Sequence, residues 1–179
     1  RALKANSKVA YALIKSGEYY ETSLEDSSIL FGNKDAKMRV TILSNPHCNP
    51  CARMHKRVEN LLQISDQAIC VQYIFSSFNK ELEDSSRYLI YKYFGNTQDK
   101  ALKEFDLWYS KEKYEYNSIL RRNSTLIYTK MIETEMAKHE KWRKRTSLIE
   151  TPTILVNGYK LPKEYSIEDL AMLTSCNII

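Results

Sequence analysis

Val40-Thr41-Ile42-Leu43-Ser44-Asn45-Pro46-His47-Cys48-Asn49-Pro50-Cys51-Ala52-Arg53-Met54-His55 reads as an apolar strand that stops at a turn and delivers a Cys-x-x-Cys onto the first turn of a helix. The β-branched and aliphatic run to Leu43 argues a strand, and Ser44, Asn45 and Pro46 argue the turn. Asn49 is expected to cap the helix, and Pro50, with its fixed φ, suits a first helical position. Cys48 then lies at the mouth of the helix and Cys51 about one turn inside.

That placement has a chemical consequence. Unsatisfied N–H groups and the positive dipole end favour an anion at a helix start, and a thiolate is such an anion. In a Cys-x-x-Cys at a helix start the first cysteine ionises more readily than a free thiol, and the thiolate is the species that attacks a disulfide. Cys48 is therefore expected to attack, and Cys51, one turn on, to close a disulfide and release the mixed intermediate.

Working outward, the helix runs to about Leu62 with Met54, Val58, Leu61 and Leu62 as its buried stripe. Ala68 to Phe75 is a near-continuous apolar run, as for a central strand covered on both faces. Cys70 within it reads as a small buried hydrophobe with an inert thiol. From Asn79 to Ser147 the period is helical throughout. One helix covers about Glu81 to Tyr93 and a second about Gln98 to Ser110. A long third runs from Ser118 or Ser124 to Arg145, with Leu126, Ile127, Met131, Ala137 and Trp142 as core positions. Period two returns in Thr151-Pro152-Thr153-Ile154-Leu155-Val156, and Asn157-Gly158 is a two-residue hairpin signal. Tyr159 to Leu161 comes back along it. Ser166 caps a last helix with Ile167, Leu170, Ala171 and Leu173 on one side, and Cys176 lies just past its end.

Upstream, Ala5, Val9, Ala10, Leu13 and Ile14 fall near helical spacing and Ser16-Gly17 stops them. Glu18 to Leu24 reads as extended, and Ile29 to Ala36 as an apolar anchor and turn feeding the first strand. The organisation expected is one domain over 1–179. Residues 1–28 form an N-terminal helix and edge extension, and 79–147 a helical insertion.

Composition agrees with a single core: the chain has 179 residues, 43% of them hydrophobic. The net charge is +5, with basic and acidic residues interleaved. The densest basic cluster, Lys138 to Arg145, reads as the last turns of a helix rather than a nucleic-acid surface. With only four glycines there is no phosphate-cradling loop. No small-molecule cofactor and no nucleic-acid partner are expected. The longest apolar runs fall far short of the roughly 20 residues of a membrane helix. The chain opens at Arg1 without an initiator Met or an apolar leader, which reads as a processed protein or an excised piece of a longer one.

Strand, Cys-x-x-Cys helix, strand, helical block, then Thr-Pro opening a hairpin and a final helix: in this order the chain resembles the thioredoxin superfamily. It is most similar to the DsbA-like branch, in which helices interrupt the fold ahead of the proline. The resemblance rests on Gly32-Asn33-Lys34-Asp35-Ala36 leading into Val40-Thr41-Ile42, on Cys48-Asn49-Pro50-Cys51, and on Thr151-Pro152-Thr153 with Val156-Asn157-Gly158 and Leu161-Pro162. It implies an α/β fold: a central mixed sheet flanked by helices, with the helical insertion before the cis-Pro strand. It implies a protein-disulfide oxidoreductase acting on protein thiols and disulfides through Cys48 and Cys51. It also implies a cis Thr151–Pro152 bond lying against the cysteines, with Thr151 and Pro152 docking the substrate chain like an added strand, flanked by His47, Asn49 and Pro50.

The chain departs from the family pattern at three places. His47 stands where thioredoxins have Trp. Ile42 occupies the position of the buried acid, which leaves water or His55 as proton acceptor for Cys51. No His intervenes between the cysteines, which points to a reducing or intermediate potential, and His47 would substitute only in part. The run Asn45-Pro46-His47-Cys48-Asn49-Pro50-Cys51-Ala52-Arg53-Met54-His55 and the leading helix also resemble the thioredoxin-like domains fused to bacterial vitamin K epoxide reductase homologues. That likeness implies an extracytoplasmic, periplasmic setting, membrane tethering in the full-length protein, and a quinone-linked membrane-embedded redox partner.

Two other classes share these residues. Cys48, Cys51 and His55, with His47 or Cys70, have the ligand types for zinc, but no second closely spaced pair completes a structural site. A catalytically inactive binding or chaperone module on the same fold has no need of both thiols.

Overall fold

The computed structural model describes residues 6–65 and 67–174. In chain order its regular elements are α1 (Ser7–Lys15), β1 (Leu30–Gly32), β2 (Met38–Ser44), α2 (Asn49–Ile64), β3 (Ile69–Phe75), α3 (Lys80–Phe94), α4 (Gln98–Ser110), α5 (Tyr116–Arg122), α6 (Lys130–Thr146), β4 (Thr153–Val156), β5 (Tyr159–Lys160) and α7 (Leu170–Thr174). Short 3₁₀ turns cover Leu24–Asp26, Glu112–Glu115 and Ile167–Asp169.

The five strands form one sheet in the order β1-β3-β2-β4-β5. β2 and β3 are parallel, while β1, β4 and β5 each run antiparallel to their neighbours. All seven residues of β3 are buried, as its unbroken apolar run requires of a strand covered on both faces. Its one polar side chain in the middle, Gln72, is satisfied: Nε2 donates to Ser23 O and Ser27 O, and Oε1 accepts from Thr41 Oγ1.

Alternation along the strands divides the core. Val40, Ile42, Val71, Tyr73, Phe75, Ile154 and Val156 join the larger cluster, which includes Phe105 and Trp108 of the inserted helices. Leu43, Ile74 and Leu155 point the other way, onto Trp142 and Leu148. Period-two residues thus serve two faces of one sheet. The Asn157-Gly158 turn has φ of +48° and +89°, both central residues left-handed as a type I′ hairpin needs. Asn157 also ties the turn to β2, its Oδ1 accepting from Arg39 N at 2.8 Å.

Of the core positions expected in the third helix, Leu126, Met131 and Ala137 are exposed, and only Ile127 and Trp142 are buried. Three further local expectations are corrected. The long third helix is two helices, α5 and α6, separated by residues 123–129. Asn123 ends the first, its Nδ2 donating to Ile119 O at 2.8 Å, and Thr129 caps the second, with Oγ1 accepting from Ile132 N. Buried Ile127 anchors the linker between them, so an apolar residue that fits helical periodicity is spent on a loop. The extended piece at 18–24 makes one bridge, Tyr19 to Tyr159, and then turns into the 3₁₀ segment at Leu24. The third correction is at α2, whose N-cap is Cys48 rather than Asn49.

The basic run at the end of α6 is spent on structure. Arg143 donates to Phe75 O, Arg145 pairs with Asp26, and Lys144 pairs with Glu140. Beneath it lies a polar cluster that the sequence did not announce. Ser28 N donates to Glu135 Oε1 at 2.6 Å, and His139 Nε2 lies 3.1 Å from the same oxygen. Phe75 N–H donates to His139 Nδ1, so the proton of the neutral ring sits on Nε2. Burial opposes ionisation of Glu135, yet the bonds from His139 and Ser28 hold its pKa down at about 2. Ala5 and Cys176 fall outside the described residues.

Candidate active site

The turn after β2 brings the two cysteines to the start of α2. They are joined in a disulfide, with Cα atoms 5.3 Å apart. Cys48 Sγ caps the helix by accepting from Cys51 N–H at 3.1 Å, which puts the sulfur, not Asn49, on the orphan donors. Asn49 and Pro50 are exposed on the first turn. The two sulfurs differ in access: Cys48 is partly exposed, whereas Cys51 is 1% exposed and accepts a hydrogen bond from Asn45 N–H.

From more than a hundred residues along the chain, the segment before β4 meets them. The Thr151–Pro152 peptide is cis, and Thr151 Oγ1 lies 3.9 Å from Cys48 Sγ. Both residues are partly exposed, and Pro152 lines a groove of about 330 Å³ with Met54, Arg57, Leu161 and Tyr165. Cys48, Asn49, Pro50, Thr151 and Pro152 are therefore together on one surface, with Cys51 buried directly beneath it.

His47 is half-buried, not solvated. Its Nε2 lies 2.7 Å from Ser85 Oγ of α3, and its ring packs edge-on against Trp108 and Tyr116. Burial lowers its pKa, with Glu81 pulling it up and Lys113 pushing it down, so the ring is neutral at pH 7. The inserted helices hold the turn at further points that sequence reading missed. Trp108 Nε1 donates to Pro46 O at 2.8 Å, Tyr109 OH meets Ser44 Oγ at 2.6 Å, and Lys113 Nζ donates to Asn49 Oδ1 at 2.7 Å. In the sequence Trp108 is only one of the apolar positions of a helical stripe, and nothing marked Tyr109 or Lys113.

Ile42 is buried in β2, with no carboxylate in its place. His55 does not replace one. It is 1% exposed, Nδ1 is hydrogen-bonded to Tyr73 OH at 2.7 Å, and Nε2 faces Leu102 O at 3.4 Å, so both ring nitrogens are engaged. Cys70 is fully buried, and burial pushes its thiol up to about 11. Among the described residues no group of three His, Cys, Asp or Glu is placed to hold a metal ion. No helix among them is long and apolar enough to cross a membrane.

Burial lowers the His55 pKa to about 4, which makes stability pH-dependent. Below pH 6.5 the unfolded chain takes a proton that the folded state refuses down to about 4. Stability therefore falls as pH drops through that window, by about 3 kcal/mol. Urea titrations of the wild type should show this loss, and His55→Gln should reduce it, the residual slope including His47 and buried His139, whose pKa values are also lowered by burial. An unchanged slope in the variant would refute the assignment.

A cysteine pair at a helix start, on a sheet interrupted by helices ahead of its cis-proline strand, is the site of a thioredoxin-fold thiol–disulfide oxidoreductase. The sequence supplies the family: the model described as Thioredoxin matches residues 24–174, and the chain belongs to the thioredoxin family. Solved structures agree in fold. Oxidised BdbD from Bacillus subtilis has a TM-score of 0.64 at 12% identity, covering 89% of this chain and 96% of that one. Reduced DsbA1 from Neisseria meningitidis has 0.62 at 14%, covering 80% and 84%. A linker-deletion variant of ScsC from Proteus mirabilis has 0.65 at 14%, covering 97% and 83%. No curated protein matches the chain at the level of sequence.

Proposed function

We propose that Cys48 is the sulfur that exchanges with protein substrates and Cys51 the one that resolves. The observation that carries this is the difference in access: a substrate sulfur reaches Cys48, while Cys51 is sealed beneath the turn. In the oxidising direction a substrate thiolate attacks Cys48 Sγ. The Cys48–Cys51 bond breaks, and its electron pair leaves on Cys51 Sγ, which takes a proton from water. A second substrate thiolate then attacks the substrate sulfur of the mixed disulfide and expels Cys48 as thiolate. Two electrons have passed to the dithiol and the substrate holds a new disulfide; the reverse sequence reduces one. Thr151 and Pro152 dock the substrate backbone beside Cys48, with Asn49 and Pro50 on the exposed rim and His47 supporting the turn from below.

The family resemblance supports a place outside the cytoplasm, where protein disulfides form and persist. Turnover then needs a second redox protein to reset the dithiol. A membrane-embedded, quinone-linked partner, separate or fused, is the partner that the resemblance in the Cys-x-x-Cys run supports.

Equilibration with glutathione buffers, followed by alkylation and mass measurement, tests the core of the proposal. Cys48 and Cys51 should convert together in one two-electron transition, a tenfold change in equilibrium for each ~30 mV. The wild type should also accelerate reduction of insulin by dithiothreitol. A rate equal to that without protein would overturn the proposal.

A further inference from the structure

Lys113 lies in the 3₁₀ turn Glu112–Glu115, on the far side of α4 from the sheet in sequence yet only 5% exposed. Its ammonium donates to Asn49 Oδ1 at 2.7 Å and sits 5.0 Å from the Tyr114 ring centroid. Among the described residues no carboxylate pairs with it. Its neighbour Glu112 is turned elsewhere, accepting from Tyr88 OH at 3.2 Å. Its hydrogen-bond partner is the neutral Asn49 Oδ1, so it brings to the first turn of α2 a positive charge with no carboxylate bonded to it. Asn49, which it grips, directly follows Cys48.

We propose that Lys113 is a positioning residue whose charge, held on the first turn of α2 by Asn49, stabilises the Cys48 thiolate when the disulfide opens. This rests on the reading of Cys48 as the exchanging sulfur. The anion absent from the oxidised site is the one that reduction creates there: Cys48 leaves as a thiolate, and the ammonium gains its counter-charge without any proton moving to it. The other titratable groups around the turn do not supply this. His47 is neutral, Glu81 acts on His47 from α3, Glu112 bonds to Tyr88, and Glu150, beside Thr151, is exposed and negative. A stabilised thiolate is a better leaving group and favours the reduced form, which makes the dithiol more oxidising. The absence of a histidine between the cysteines is thereby offset by a lysine from the inserted helices.

The test compares wild type, Lys113→Met, Lys113→Arg and Asn49→Ala, all reduced and checked for folding by circular dichroism. The rate of Cys48 alkylation by iodoacetamide is followed against pH, and the midpoint against glutathione is measured for each. Removing one nearby opposite charge should raise the Cys48 pKa by about one unit in Lys113→Met. The thiolate fraction below the pKa then falls tenfold, and a tenfold loss in the redox equilibrium moves the midpoint about 30 mV more reducing. Lys113→Arg should restore both, and Asn49→Ala, on the exposed surface, should shift both in the same direction by less. A folded Lys113→Met with the pKa and midpoint of wild type overturns the inference. If Lys113→Met does not fold, an unshifted Asn49→Ala overturns it. A wild type that exchanges no disulfides sinks the underlying reading instead, so the two failures are distinct.

Discussion

Replacing Cys48 by serine should abolish disulfide exchange while leaving the fold intact. Serine is nearly the same size and is itself a favoured N-cap, so its oxygen can accept the Cys51 N–H that the sulfur accepts now at 3.1 Å. The loss is then chemical. A hydroxyl neither ionises near neutral pH nor forms a bond with a substrate sulfur, and Cys51, 1% exposed, cannot be reached in its place. Cys70 offers no detour, since burial holds its thiol protonated. Cys51→Ser should behave differently: substrate still reaches Cys48, but nothing resolves the adduct, and a mixed disulfide accumulates on a non-reducing gel. Insulin reduction by Cys48→Ser at a wild-type rate would end the assignment of roles.

The second large effect is on stability. Trp108→Ala should destabilise the protein by about 3–5 kcal/mol, the usual cost of emptying a large aromatic site. That is a large part of the roughly 5–15 kcal/mol that holds a domain together. The ring is fully buried in α4, packs on Tyr88 at 5.4 Å and on His47 at 5.8 Å, and donates to Pro46 O. Its removal leaves a cavity and an unsatisfied carbonyl directly beneath the Cys-x-x-Cys turn. Trp108→Phe keeps most of the packing and loses the hydrogen bond, for roughly 1 kcal/mol from that bond alone. Leu107→Ala, one position along but 41% exposed, should stay within about 0.5 kcal/mol of wild type. Urea unfolding measures all three, and a Trp108→Ala within 1 kcal/mol of wild type would show that the inserted helices do not brace the site.

The sequence is legible where the signal is local. A continuous apolar strand, an Asn-Gly hairpin and a cysteine pair at a helix start are each set by neighbours in the chain. The sequence misleads at Asn123–Thr129 because helical periodicity continues across the break: Ile127 keeps the register of a helix while its side chain anchors a loop. At Asn49 the helix start is legible but the cap lies one residue earlier, because the Cys48 sulfur accepts from Cys51 N–H and leaves Asn49 on the first turn. His47 and His55 were visible as residues and illegible as environments, since burial against Trp108, Tyr109 and Tyr73 comes from segments far along the chain.

By itself, the order of residues determined the sheet-and-helix plan, the Cys48–Cys51 pair at the mouth of α2, and the downstream Thr151-Pro152 strand. Those features depend on backbone preference and side-chain period, which act over a few residues. That Thr151 faces Cys48 was implied by the family resemblance and by no local signal; tertiary structure alone decided that Cys51 is sealed, and that Trp108, Ser85 and Lys113 close on the turn from the helical insertion. The reason is physical: access, desolvation and charge at a sulfur are set by whatever packs around it, and here most of what packs around it is distant in the chain.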